Sequence, residues 1–279
     1  MISSKAFAPA NISCIFRIYG HKNPRLMGSY GIGFTLNEGV IAEVSKAKKN
    51  EVFYNNRSIS FPTIISVINR LTKEKLRVYI KARLPLGCGF GLSGASALAT
   101  AYAINGLLKL KKSKKELAII AHTAEAENKT GLGDVVNQYY GGFCIKSRPS
   151  SYFRVEKLSL SNIDVYCRHF GRISTKSIIT NAKIRNKIND AADSSLSKIQ
   201  SLTKYNKNKI KFKDVIRISK EFAVNSGLLK NKKIIRTIKN IEKNGGNASM
   251  IMLGNSVFSD RKFKGASRFK ISGKGAHLI

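Results

Sequence analysis

Apolar and polar residues alternate from Leu76 to Leu84, with Leu76, Val78, Ile80, Ala82 and Leu84 set against Arg77, Tyr79, Lys81 and Arg83, which is the period of a half-buried strand. Pro62 opens a segment through Leu71 whose apolar residues Ile64, Ile65, Ile68 and Leu71 fall at helical spacing. Ser113 and Glu116 form a capping box, and the helix it opens runs to about Asn128 with Leu117, Ile120, Ala121 and Ala124 as its stripe. Lys5 to Tyr19 mixes aliphatic and aromatic residues around Pro9 and reads as a pair of strands, while Phe34 to Val44 reads as another strand. Between them, His21 to Gly33 is polar, basic and glycine-bearing, and reads as a loop with Asn23-Pro24 as a turn.

Past the SRPSS stretch at Ser147 to Ser151, which reads as a linker, the texture changes. Val155 to Leu160 and Ile163 to Arg168 suggest strands, followed by Lys-rich amphipathic helices over Ile184 to Leu202, Phe212 to Ser226 and Lys230 to Lys243. Gly227 stops the second of these. The segment from Ala248 to Ser259 then reads as a hairpin turning at Gly254-Asn255. The pattern divides the chain into two α+β halves, 1–150 and 151–279, the second suited to a ferredoxin-like arrangement.

A chain of 279 residues with 43% hydrophobic content is long enough to bury a sizeable core. No run reaches the roughly 18 apolar residues that span a bilayer, and the first residues lack a continuous apolar stretch, so a soluble, unexported protein is expected. Cys14, Cys88, Cys144 and Cys167 are scattered, without metal-ligand spacing, and reduced buried thiols are expected. His21, His122, His169 and His277 are equally dispersed and read as structural. The formal charge of +34 raises nucleic acid as a partner, but the lysines and arginines run from Lys46 through Lys274, densest over Lys204 to Lys243. A biased Lys, Asn and Ile usage produces the same spread, so specific nucleic-acid binding is not expected, whereas attraction of anionic metabolites is.

The chemistry-bearing stretch is PLGCGFGLSGASALAT, Pro85 to Thr100. It follows the alternating strand and carries Gly87, Gly89 and Gly91 ahead of a small-residue helix starting near Ser93. Glycines let backbone N–H groups turn toward a ligand, and a helix start adds unpaired N–H groups with partial positive charge, so this order suits a phosphate. It lacks the G-K-[ST] ending of a P-loop. Downstream, Glu125 and Glu127 lie about 200° apart around their helix, and periodicity does not choose between them. Asp134 closes the glycine-flanked T-G-L-G-D turn.

The order of proline, spaced glycines, serine and alanine-rich helix resembles the signature of the GHMP small-molecule kinases, and G131-L-G-D134 after an acidic helix resembles their catalytic turn. Within that group, GCGFGLSGASAL, AHTAEAENKTGLGDVVNQYYGG and SMIMLGNSVF are most similar to the archaeal pantoate kinases, over most of the chain. Two positions depart from the wider pattern: Leu92 replaces the first serine of the loop, and Asn11 stands where mevalonate kinases follow A-P-G with lysine. The resemblance implies a GHMP kinase fold, with an N-terminal ribosomal-protein-like α/β domain and a C-terminal ferredoxin-like α+β domain. It implies transfer of a phosphoryl group from ATP to pantoate for coenzyme A synthesis, in an archaeal cytoplasm, with a homodimer left open. ATP would then lie on Pro85, Gly87, Cys88, Gly89, Phe90, Gly91, Leu92, Ser93 and Gly94. Mg²⁺ would lie on Ser93 and Glu125, with Glu127 as the alternative acid, and Asp134 would act as the base. The pantoate carboxylate needs a cation, for which Lys146, Arg148 and Arg25 are the candidates.

Overall fold

The computed structural model describes residues 2–173, 178, 181–204 and 210–279, so positions 205–209 of the basic stretch from Lys204 lie outside the described residues. Two strands make its spine: β1 (Ser3–Tyr19) and β2 (Gly28–Lys46) pair antiparallel along almost their whole length. Beyond them lie β3 (Glu51–Tyr54), β4 (Arg57–Ser58) and β5 (Leu76–Ala82), and on the other end β12 (His277–Leu278), giving the order β12-β1-β2-β5-β3-β4. The upper part of β2 pairs with β5, and its lower part pairs with β6 (Phe143–Lys146), which continues to β7 (Glu156–Leu158). The alternation read over Leu76 to Leu84 holds: Leu76, Val78, Ile80 and Ala82 are buried.

Sequence reading mistook three backbone features here. Pro9 does not divide β1; the register slips between Pro9 and Asn11, a bulge that accommodates a residue with no N–H to give the ladder. Gly28 to Gly33 is strand and not loop, because the backbone of β1 crosses it so closely that a Cβ at Gly33 would stand 2.6 Å from Ile12 O. Ser147 to Ser151 is not a loose linker: it leads into a 3₁₀ turn at Ser150–Tyr152, where buried Ser150 donates through Oγ to Ser29 O at 2.6 Å.

Helices cover one face of this sheet. Helix α1 (Pro62–Leu71) carries proline in its first turn, where no N–H is needed, and buries Ile64, Val67, Ile68 and Leu71. Helix α2 (Leu92–Leu108) is buried on every side over its first three turns, which its small residues allow by letting neighbouring backbones come close. Helix α3 (Lys114–Asn128) begins at the Ser113–Glu116 capping box, with both of its reciprocal hydrogen bonds present. Helix α4 (Asp134–Tyr140) is short and leads through Gly141 into β6.

The second sheet has the order β11-β8-β10-β9 and is antiparallel throughout, from β8 (Asp164–Gly171), β9 (Ala248–Ile251), β10 (Asn255–Ser259) and β11 (Ser267–Lys270). Helices α5 (Ala182–Thr203), α6 (Phe212–Asn225) and α7 (Lys232–Lys243) accompany it. The β9–β10 turn is formed by Met252, Leu253 and Gly254, with Leu253 at φ 60°; Asn255 already belongs to the strand, opposite Gly171. Phe34, Phe143, Phe212 and Phe258 stack edge-on or tilted, with centroids 5.1 to 6.4 Å apart, and unite β2, β6, α6 and β10 in one core. Truncating a buried phenylalanine of this kind to alanine costs roughly 3–5 kcal/mol. The expected division at residue 150 falls in the 3₁₀ turn, and β7 and β12 join the first sheet from beyond it.

Candidate active site

The glycine stretch forms the loop between β5 and α2. Gly87, Gly89 and Gly91 hold φ values of 80°, 95° and 61°. At Gly91 both reasons for glycine meet, since the φ is left-handed and a Cβ would stand 3.1 Å from Asp134 Cγ and 3.2 Å from Asn11 Cβ. Neighbouring elements take the loop carbonyls: Ile173 N donates to Gly87 O (3.0 Å), Ser256 Oγ to Cys88 O (2.6 Å), Asn11 N to Phe90 O (3.0 Å) and Gln138 Nε2 to Gly91 O (2.7 Å). Four of the loop's carbonyl oxygens are thereby taken up by the protein. Helix α2 begins immediately with no side-chain cap, so its first-turn N–H groups remain as an anion site.

A cavity of about 350 Å³ opens beside this loop. Gly87, Gly89, Phe90, Gly91, Leu92 and Ser93 line it, together with Thr130 to Asp134 and, from the second sheet's hairpin, Met252 and Leu253. Pro85, Cys88 and Gly94 do not: Pro85 faces a separate cleft, Cys88 is turned into the core, and Gly94 is packed against Glu125.

Glu125, in the last turn of α3, is almost wholly buried, 1% exposed, between Gly94 and Gly131, whose absent side chains leave room for the carboxylate. Thr130 Oγ1 donates to its Oε1 at 3.3 Å, while Oε2 and the nearby Ser93 Oγ have no hydrogen-bond partner among the described residues. Burial, with the Asp134 charge next in importance, pushes the Glu125 carboxyl up to about 8, and the adjacent Ser93 and Thr130 hydroxyls oppose the rise. The Ser93 hydroxyl on the cavity wall beside a buried carboxylate oxygen, neither with another hydrogen-bond partner among the described residues, fits a small hard cation that takes its remaining ligands from phosphate and water. Glu127 points elsewhere and pairs with Arg70 at 3.0 Å on the surface.

Asp134 is the first residue of α4 and projects into the cavity. Its Oδ1 accepts from Asn11 Nδ2 at 2.6 Å and from Ser13 Oγ at 3.4 Å. Burial raises its pKa, and Lys146, Asn11 and Ser13 oppose the rise. Lys146 is 6% exposed, donates to Gly133 O at 2.8 Å, and is lowered to about 8 by burial, with Asp134 acting against the shift. Of the three candidate cations it alone stands behind the Asp134 turn. Arg25 lies in the exposed loop ahead of β2, and Arg148 reaches out over Tyr152 with 5.7 Å to the ring centroid; none of the three lines the cavity, and Lys146 borders a separate cleft with Tyr30 and Asp193.

Several site residues escape sequence reading. Asn11, Asn137 and Gln138 are buried polar groups that tie the loop to the Asp134 helix. His122, read as structural, donates from Nε2 to Met27 O across 2.9 Å, and burial lowers its pKa to about 4, so the ring is neutral. The only signal for these residues was a run of polar side chains in otherwise apolar segments.

Comparison with known proteins agrees with this arrangement. The family described as GHMP kinases N terminal domain matches residues 62–142, from α1 to the end of α4. Over 258 residues the chain is 36% identical to the pantoate kinase of Methanocaldococcus jannaschii, covering 90% of each sequence. It is 30% identical to the pantoate kinase of Methanospirillum hungatei, over 91% of this chain and 86% of that one. A solved structure described as a phosphotransferase related to the CoA biosynthesis pathway superposes with a TM-score of 0.86 at 23% identity, covering 100% of this chain and 99% of its own.

Proposed function

The chain belongs to the pantoate kinase branch of the GHMP kinase family, and on that premise we propose that it transfers the γ-phosphoryl group of ATP to the terminal hydroxyl of pantoate, giving 4-phosphopantoate for coenzyme A synthesis in an archaeal cytoplasm. The observation that carries the reading is the convergence on one cavity of the loop, the first turn of α2 with Ser93, and the Asp134 carboxylate, with the buried Glu125 carboxylate packed behind the cavity wall against Gly94 and Gly131.

Each group has a role set by its surroundings. The loop from Gly87 to Leu92 and the start of α2 hold the phosphates through backbone donors, which align the terminal phosphorus without adding a charge that must be desolvated. Ser93 and Glu125 would hold Mg²⁺, which when bound supplies positive charge to the phosphate oxygens. Asp134 accepts the substrate hydroxyl proton or orients that hydroxyl for in-line attack, a step in which alignment and charge matter more than basicity. Lys146 sits beside Gly133 and next to Ser29, which lines the cavity, and this position supports it over Arg25 and Arg148 as the partner of the pantoate carboxylate. The residues before 150 supply the phosphate loop and both acids, and the later half closes the site with its β9–β10 hairpin, whose Met252 and Leu253 are apolar walls.

The test is an ADP-release assay with pantoate, mevalonate and homoserine, with the product identified by ³¹P NMR. Turnover on pantoate and a new phosphomonoester resonance are expected. Turnover confined to another alcohol would replace pantoate in this reading, and none on any alcohol would end it.

A further inference from the structure

Asn11 is fully buried midway along β1, at the bulge where the strand slips register against β2. Released from the ladder there, its N–H donates to Phe90 O of the phosphate loop at 3.0 Å. Its side-chain amide points the other way, with Nδ2 donating to Asp134 Oδ1 at 2.6 Å and Oδ1 accepting from Asn137 Nδ2 at 2.9 Å. Asn137 is 1% exposed, lies three residues after Asp134 on α4, and does not line the cavity. One residue therefore touches the loop with its backbone and the acid with its side chain.

The direction of these hydrogen bonds is fixed by charge. An ionised carboxylate accepts only, so it demands the NH₂ end of Asn11; that leaves Oδ1 of Asn11 toward α4, where only the NH₂ end of Asn137 can satisfy it. Reversal would set two oxygens together at Asp134 and leave two NH₂ groups facing each other at Asn137.

We propose that Asn137 and Asn11 form a two-amide positioning relay that fixes the Asp134 carboxylate relative to the phosphate loop and favours its ionised form, which rests on Asp134 being the acid that meets the substrate hydroxyl. Neither amide touches the substrate; both act through Asp134. The raised pKa that burial gives Asp134, and the opposing effect of Asn11, agree with such a role.

The relay predicts a pattern that packing alone does not give. In Asn137→Ala, kcat falls by roughly 10-fold through misalignment of the base, while KM for ATP and pantoate stays within about twofold. The acidic limb of the kcat profile moves to higher pH, because the carboxylate has lost an oriented donor. Asn137→Asp, nearly isosteric, is expected to cost more than Asn137→Ala, since an acceptor at 137 turns the Asn11 amide over and sets its oxygen against Asp134. A purely structural residue would give the opposite order, the isosteric change being the milder.

The experiment titrates the Asp134 carboxyl by ¹³C NMR in the full-length wild type, Asn137→Ala and Asn137→Asp, with thermal melts on each, alongside the pH dependence of kcat. Because the titration reads Asp134 without turnover, a chain that does not phosphorylate pantoate overturns the functional reading and leaves the relay measurable. If Asn137→Ala does not fold, Asn137→Ser, too short to reach Asn11, is expected to show the same upward shift. Superimposable Asp134 titrations in wild type and the Ala or Ser variant would overturn the relay, as would Asn137→Asp being milder than Asn137→Ala.

Discussion

Glu125 and Glu127 stand two positions apart at the end of α3 and meet opposite surroundings: one is sealed between two glycines with a free carboxylate oxygen, and the other lies on the surface bound to Arg70 at 3.0 Å. Glu125→Ala is therefore expected to lower kcat by about 10²-fold or more and to raise the Mg²⁺ concentration needed for half-maximal rate, as loss of a preorganised charged group does. Glu127→Ala removes an exposed ion pair worth at most about 1 kcal/mol and is expected to keep near-normal turnover. Steady-state rates across a Mg²⁺ titration check both; the reverse pattern would move the metal to Glu127.

Asp134→Asn keeps the size of the side chain and an oxygen for Asn11, and removes the proton acceptor. Turnover is expected to fall by about 10²–10⁴-fold. Nucleotide binding, measured by a fluorescent ATP analogue, should persist, because the loop N–H groups are untouched. Near-normal turnover in this variant would show that the acid is not part of the chemistry.

Stability should fall with pH in the metal-free protein between about pH 6.5 and 8. Glu125 has its folded pKa raised from 4.5 to about 8, so its contribution is fully present below 4.5 and is lost as pH rises through 8. Asp134 is shifted in the same direction. His122, lowered from 6.5 to about 4, gives the opposite slope, but only below 6.5, and Lys146, lowered from 10.5 to about 8, does so only above 8. Between these limits Glu125 acts unopposed by either. Thermal melts should show Tm falling across this window in wild type and much less in Glu125→Gln, and Mg²⁺ with ATP should restore the wild-type protein at pH 8. A Tm that rises from pH 6.5 to 8 in the metal-free wild type would contradict this account.

Ser256, wholly buried on β10, donates to Cys88 O at 2.6 Å and so holds one loop carbonyl away from the phosphates. Ser256→Ala frees that oxygen. The loss of roughly 1 kcal/mol corresponds to about fivefold weaker ATP binding. Isothermal titration with a nonhydrolysable ATP analogue measures it, and pantoate KM should stay unchanged, since the hairpin residue reaches only the loop.

Local signals carried much of this fold into the sequence. The Ser113–Glu116 box and the alternation over Leu76 to Leu84 are legible because each depends on residues three or two positions apart. The order of glycine loop, acidic helix and Asp134 turn made the family resemblance readable as well. What stayed hidden depends on contacts distant in the chain. Gly31 and Gly33 look like loop glycines until β1 is laid across them, and Pro9 looks like a break until the bulge is seen. The choice between Glu125 and Glu127 follows from which side of α3 meets α2 and the Gly131 turn, and no period within the helix contains that fact. Asn11 reads as a missing lysine; in the fold its short amide fits where Asp134 and Asn137 converge.

The aromatic joint of Phe34, Phe143, Phe212 and Phe258 bears on how the protein moves. Two halves bolted through interlocked rings cannot swing apart as rigid jaws without exposing those rings to water, a cost of several kcal/mol. Substrate entry and product release then fall to the short β9–β10 turn and the loops around the cavity, while heat or denaturant should melt both halves in a single transition.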